Sequence, residues 1–254
     1  MSRLFIASAL IALSGCGSSA PTIASGPLAP TVVDGDASDW AGALVALADD
    51  RVALGVRNDG ERLAVAVVTS DPDAIRHTIL TGMTVWVDAG GGDARAYGVQ
   101  FPLGLFGDGE VPDLRALREA GAGDADRGAR LERMLGELAV VAGGQRRVYA
   151  RDGAPVEADA SLEAGQLVLE VSVPLDALGV RPGDAVGVGV ETPELDRDAL
   201  RAQLRAQMRG RGGMGGRAGR GGRRGGMGGR AGRGGERPDP PEPVEVWVRV
   251  PLAD

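Results

Sequence analysis

Arg51-Val52-Ala53-Leu54-Gly55-Val56-Arg57 and Arg62-Leu63-Ala64-Val65-Ala66-Val67-Val68 flank the tetrapeptide Asn58-Asp59-Gly60-Glu61. Apolar residues recur at every second position on both sides, the period of a strand with one buried face. The Asp-Gly pair between them favours the positive backbone angles of a tight turn, so the stretch predicts a β-hairpin.

The same signal repeats along the chain. Residues 83–88 and 94–101 flank Ala89-Gly90-Gly91-Gly92-Asp93, and residues 156–162 and 167–173 flank Glu163-Ala164-Gly165-Gln166. Further strand character falls at 139–141, 148–150, 185–191 and 244–250, and a short strand at 31–33 leads into the turn that ends at Trp40. Two stretches break the pattern. Residues 71–81, with the single histidine His77, read as a helical turn or a loop, and residues 112–138 carry leucines at three- and four-residue spacing. A turn of helix is expected at 174–179. The sum is a mainly β chain of about ten strands, an antiparallel β-sandwich over 31–254 with a helical insertion at 112–138.

The apolar run before Cys16, Leu10-Ile11-Ala12-Leu13-Ser14-Gly15, follows a positive Arg3 and is too short to span a bilayer. It resembles a bacterial lipoprotein signal. The resemblance implies cleavage after residue 15, lipidation of Cys16, and a cell-envelope address. Gly17 stands where an Asp signals inner-membrane retention in many Gram-negative lipoproteins, which points to the outer membrane. Residues 16–30, rich in Ser, Ala, Pro and Gly, read as a flexible tether. No second apolar segment approaches the length of a membrane helix. Cys16 is the one cysteine, so no disulfide can form within the chain.

All 28 basic residues are arginine. Without lysine, Schiff-base chemistry, Ser-Lys dyads and the phosphate-binding lysine of a P-loop are excluded. The net charge is −7, unevenly spread: residues 209–237 hold nine arginines against Glu236, a local +8 that leaves −15 on the rest. An acidic body argues against a nucleic-acid partner. Within the basic stretch, the twelve residues 211–222 recur identically at 224–235. Glycine at that density cannot recover its ordering entropy by burial, so 209–243 is expected to be a disordered loop inserted before the last strand. Its arginines would suit anionic envelope polymers; a neutral repeat expansion is the other reading.

The order of motifs then resembles a known class. Asp34-Gly35-Asp36-Ala37-Ser38-Asp39-Trp40, the 52–68 hairpin and Thr84-Val85-Trp86-Val87-Asp88 are similar to family 9 carbohydrate-binding modules and related DOMON-like sandwiches. The resemblance covers roughly 31–101, 155–193 and 244–253. It implies a non-catalytic module that binds glycan between aromatic rings, often near calcium, or, in some DOMON domains, haem through a Met and a His. Trp40, Trp86 and Trp247 lie in or beside alternating apolar stretches, which favours the core over a sugar platform.

Three chemistries are therefore candidates. Asp34, Asp36 and Asp39 can gather oxygens around calcium or bond their own backbone amides in turns. His77 and Met83 are the one pair available to haem. A catalytic site is not expected: Ser38, Ser70, Ser161 and Ser172 lack a G-x-S-x-G setting, and one imidazole serves the whole chain. Zinc, which needs three or four His, Cys or carboxylate ligands, finds no set here.

Overall fold

The computed structural model describes residues 20–25, 31–105, 133–194 and 243–254. The expected signal, Cys16, most of the expected helical insertion and the Arg/Gly stretch lie outside the described residues. The strands, in chain order, are β1 Val45–Leu47, β2 Val52–Asn58, β3 Arg62–Thr69, β4 Thr84–Asp88, β5 Tyr97–Gln100, β6 Glu137–Ala142, β7 Gln145–Ala150, β8 Glu157–Glu163, β9 Gln166–Pro174, β10 Ala185–Glu191 and β11 Glu245–Pro251. They form a five-stranded sheet, β1-β2-β3-β9-β8, and a six-stranded sheet, β11-β10-β4-β5-β6-β7. Neighbours pair antiparallel throughout, giving the expected β-sandwich.

Alternation builds the core. Leu54, Val56, Leu63, Val65, Leu169 and Val171 from one sheet meet Val85, Val87, Val99, Val140, Val188 and Val248 from the other in one buried cluster. Branched side chains suit a pleated surface, and each burial stabilises by about 1.5–3 kcal/mol. The β2–β3 turn is closed by Asp59, whose Oδ1 accepts from the amides of Glu61 and Arg62 at 2.9 and 2.7 Å.

Several expectations need correction. Of the two readings of residues 71–81, a helical turn or a loop, the helical one holds and extends further: α1, Pro72–Thr81, starts with Asp71 Oδ1 accepting from the Ala74 amide at 2.7 Å and proline in the first turn. The helical reading of 112–138 runs too far, because Glu137 opens β6 and Leu138 is a core residue. No strand forms at 31–33, while β1 follows Trp40 unforeseen. The expected helical turn is α2, Leu175–Leu178. Residues 21–23, inside the expected tether, pair in parallel with β11: the Ile23 amide donates to Arg249 O and the Arg249 amide to Pro21 O, both at 2.9 Å. Ile23, 6% exposed, plugs the core there, and that burial is what fixes the segment.

Candidate functional site

The valines of β4, β10 and β11 face inward, so the residues between them face out. Trp247 of β11 is paired with Gly189 of β10, Gly189 with Trp86 of β4, and Trp86 with Gly98 of β5. Trp86 and Trp247 therefore stand in one row across the outer face, two strands or roughly 10 Å apart. Both are half-buried, which corrects their expected core placement. The glycines make room for the rings. A Cβ on Gly98 would fall 2.5 Å from Trp86 Cζ3, and one on Gly189 would fall 2.6–2.7 Å from Trp247 Cε2, Cδ2 and Cζ2. Each indole thus lies against the sheet and leaves its other side outward.

Polar side chains stand beside the rings. Trp86 Nε1 donates to Glu191 Oε2 at 2.9 Å. Arg95 Nε donates to the same oxygen at 2.7 Å and its Nη2 to Glu245 Oε1 at 2.8 Å. The hydrogen bond to Glu191, with the charges of Glu191 and Glu245, pushes the Arg95 pKa above its ordinary value against a smaller opposing effect of burial. On the far side of Trp86, Gln100 Oε1 accepts from Arg146 at 2.9 and 3.2 Å.

The loop after β4 rises over this face. Asp88 organises it, Oδ1 accepting from the Gly90 amide at 2.8 Å and Oδ2 from Gly92 and Ala94 at 3.0 and 3.2 Å. Gly92 O lies directly over Gly187, where no side chain fits. Between this loop and the N-terminal segment runs a cleft of about 540 Å³, lined by Ala20, Pro21, Gly91, Gly92, Asp93, Trp247 and Arg249. That volume is in the range of small-molecule sites. A second cleft of about 650 Å³, at Gly60–Arg62 and Pro174–Pro182, contains no aromatic side chain.

The residues singled out from sequence lie elsewhere. Asp34 Oδ1 accepts from the Asp36 amide at 3.0 Å and Asp36 Oδ1 from the Ser38 amide at 2.8 Å, which is turn chemistry. The Ser38 bond also draws the Asp36 pKa below its ordinary value. Among the described residues no three His, Cys, Asp or Glu side chains form a metal-binding group. Trp40 is fully buried against Ala64 and Ala66, on the outer face of the five-stranded sheet. His77 is 2% exposed, with Nε2 at 2.7 Å from Pro193 O, and Met83 is a core residue. Both occupy packing positions. Cys16 lies outside the described residues.

Sequence reasoning missed Arg95, Glu191, Glu245 and Arg249. The signal for the face was nonetheless present: in Val85-Trp86-Val87 and Val246-Trp247-Val248, inward valines leave tryptophan no direction but out.

No protein-family profile matches the chain, and no curated protein is similar to it. Among solved structures, a family 9 carbohydrate-binding module from Caldicellulosiruptor kristjanssonii in complex with cellotriose is similar at 13% identity and a TM-score of 0.36, over 70% of this chain and 78% of that one. A module of the same family and organism in complex with glucose is similar at 14% identity and a TM-score of 0.36, over 70% of this chain and 81% of that one.

Proposed function

We propose that this chain is a lipid-anchored cell-envelope protein, held through Cys16, that binds saccharide without catalysis on the outer face of its six-stranded sheet. The observation that carries the reading is the row Trp247, Gly189, Trp86, Gly98. Apolar ring faces pack against the C–H faces of a sugar, while nearby charged groups meet its hydroxyls. Arg95, Glu191 and Glu245 supply those groups within the same patch. Glycoside hydrolysis needs an acid and a carboxylate facing each other across a sugar, whereas here one guanidinium lies between Glu191 and Glu245. The outer membrane is the proposed location, from the residue that follows the cysteine.

The test is titration of the full chain, made soluble by Cys16→Ser, with a panel of envelope and plant oligosaccharides by calorimetry, with and without calcium. A ligand should be found whose affinity falls about 30-fold, the equivalent of about 2 kcal/mol at a binding hot spot, in Trp247→Ala and in Trp86→Ala. Binding that is indifferent to both tryptophans would sink the reading.

A second reading has its own observation. The Thr192 amide donates to Val244 O at 2.9 Å and the Val244 amide to Thr192 Oγ1 at 2.8 Å. The stretch containing the nine arginines thus leaves and returns at one point, beside the tryptophan face. A structural lipoprotein that docks this stretch on anionic envelope polymers would lose binding on deletion of 209–237 and in high salt. Saccharide binding on the tryptophan row would survive both.

A further inference from the structure

We infer that the Trp247 cleft is held close against the membrane that carries the anchor, and that its occupant is the saccharide headgroup of a lipid in that membrane. The inference rests on reading Cys16 as lipidated and Trp247 as a saccharide platform. What it adds is orientation and the source of the sugar.

Chain length limits how far the cleft can stand from the anchor. Residues 21–23 are not a loose tether: they pair with β11 at Arg249, and Ile23 is buried in the core. Ala20 and Pro21 line the cleft together with Trp247. From Ala20 back to Cys16 is four residues. Four residues span at most about 14 Å fully extended, and about 11 Å on average as a flexible chain. A lipidated cysteine sits at the bilayer surface. The polar layer outside the hydrocarbon adds about 5–7 Å per leaflet. The wall of the cleft therefore lies within the reach of a headgroup sugar, and the domain is too closely tied to turn that wall far from the bilayer.

The lining suits such a partner. Trp247 offers a ring, Asp93 a carboxylate for hydroxyls, and Arg249 a guanidinium that, among the described residues, no hydrogen bond or ion pair engages. A free guanidinium on this edge complements the phosphate of a lipid surface. Proximity also relaxes the demand on affinity. A headgroup within reach of a short link counts at about millimolar effective concentration, so a weak, open cleft fills on the membrane at sugar levels that leave it mostly empty in solution.

The experiment uses the full lipidated chain in phosphatidylcholine vesicles containing a headgroup spin-labelled lipid, with and without monoglucosyl diacylglycerol. Headgroup spin label should quench tryptophan fluorescence. Most of that quenching should disappear in Trp247→Phe, and also when a twenty-residue Gly-Ser spacer is inserted between Ser19 and Ala20. The glucolipid should protect Trp247 from iodide several-fold better in the native chain than in the spacer chain. Quenching that ignores both the spacer and Trp247→Phe overturns the orientation. Quenching as expected, but with no protection by glucolipid in a chain that binds soluble glucoside, overturns the headgroup ligand. Binding of methyl glucoside to the Cys16→Ser chain is read in parallel. Its loss in Trp247→Ala tests the platform alone, so failure of the saccharide reading is distinguishable from failure of the orientation.

Discussion

The indole Nε1 of Trp40 donates to a carboxylate oxygen of Glu170, a side chain 1% exposed and 130 positions further along the chain. The other oxygen of Glu170 accepts from the amides of Asp34 and Gly35 at 2.8 and 2.6 Å. One buried carboxylate on β9 therefore fastens both ends of the Asp34–Trp40 turn to the five-stranded sheet. Arg57 completes the arrangement, its Cζ 5.1 Å from the centre of the Trp40 ring. The aspartates of this turn shape the backbone, and Glu170 holds it down.

Removing that carboxylate should be among the most costly single changes in the domain. Glu170→Ala orphans three donors at once, and each buried donor left unsatisfied costs about 1–3 kcal/mol. Glu170→Gln keeps one oxygen but turns an amide toward a donor, and should cost about 1–3 kcal/mol. Denaturant unfolding of the two variants checks the order. Residual saccharide binding per folded molecule should be unchanged, because Glu170 lies on the sheet opposite the tryptophan row.

A methyl group placed under the rings tests that row. Gly189→Ala puts a Cβ 2.6 Å from Trp247 and must lift the indole, with an overpacking cost of about 1–3 kcal/mol. Gly98→Ala should do the same to Trp86. Gly136→Ala, where a Cβ meets nothing within 4 Å, is the control. Saccharide titration and thermal melts of the three variants should separate the first two from the third. Equal affinity in all three would show that the ring positions do not matter to binding.

The sandwich was legible because its hairpins are local: alternation and Gly-rich turns at 59–60, 90–92 and 164–165 specify register without knowledge of distant contacts. The tryptophan face was misread for a physical reason. Large aromatics favour the core on average, but in Trp86 and Trp247 the alternation with valine overrides size, and the partner glycines Gly98 and Gly189 are the companion signal. Glu170 had no local signature, since its three donors come from a turn 130 or more positions earlier in sequence. The docking of residues 21–23 was hidden by composition. Ser, Ala and Pro read as a tether, and a single Ile23 supplies the burial that makes it a strand partner.

Asp36 and Tyr97 contribute to opposite limbs of the stability curve. The Ser38 hydrogen bond lowers the Asp36 pKa from 3.8, so the folded state binds fewer protons than the unfolded one. Its contribution is complete above that ordinary value and is lost as pH falls through the lower folded value. Asp36→Asn keeps an acceptor for the Ser38 amide, so melting temperature should fall less steeply with acid below about pH 4 than in the parent. Burial, with a smaller effect of Tyr149, raises the Tyr97 pKa above 10.0. That stability is present below 10.0 and lost as pH rises toward the folded value, and Tyr97→Phe should flatten this limb. Parallel limbs in parent and variant would refute either assignment.

Arg95 is where stability and binding should part company. Glu191 and Glu245 are paired directly across β10 and β11, and like charges so placed repel unless a cation lies between them. Arg95 is that cation, but it is partly exposed, so its ion pairs are worth about 0–1 kcal/mol. Arg95→Ala should accordingly shift unfolding little. It should weaken saccharide binding more, because Glu191 also orients the Trp86 indole and loses the group that fixes its carboxylate. Arg95→Lys keeps the charge but cannot bridge both carboxylates with one rigid fork, and should recover stability without recovering affinity. Calorimetric titration at low and high salt, beside denaturant unfolding, reads both quantities. If affinity follows stability through all three side chains, Arg95 is a surface tie and not a positioning residue.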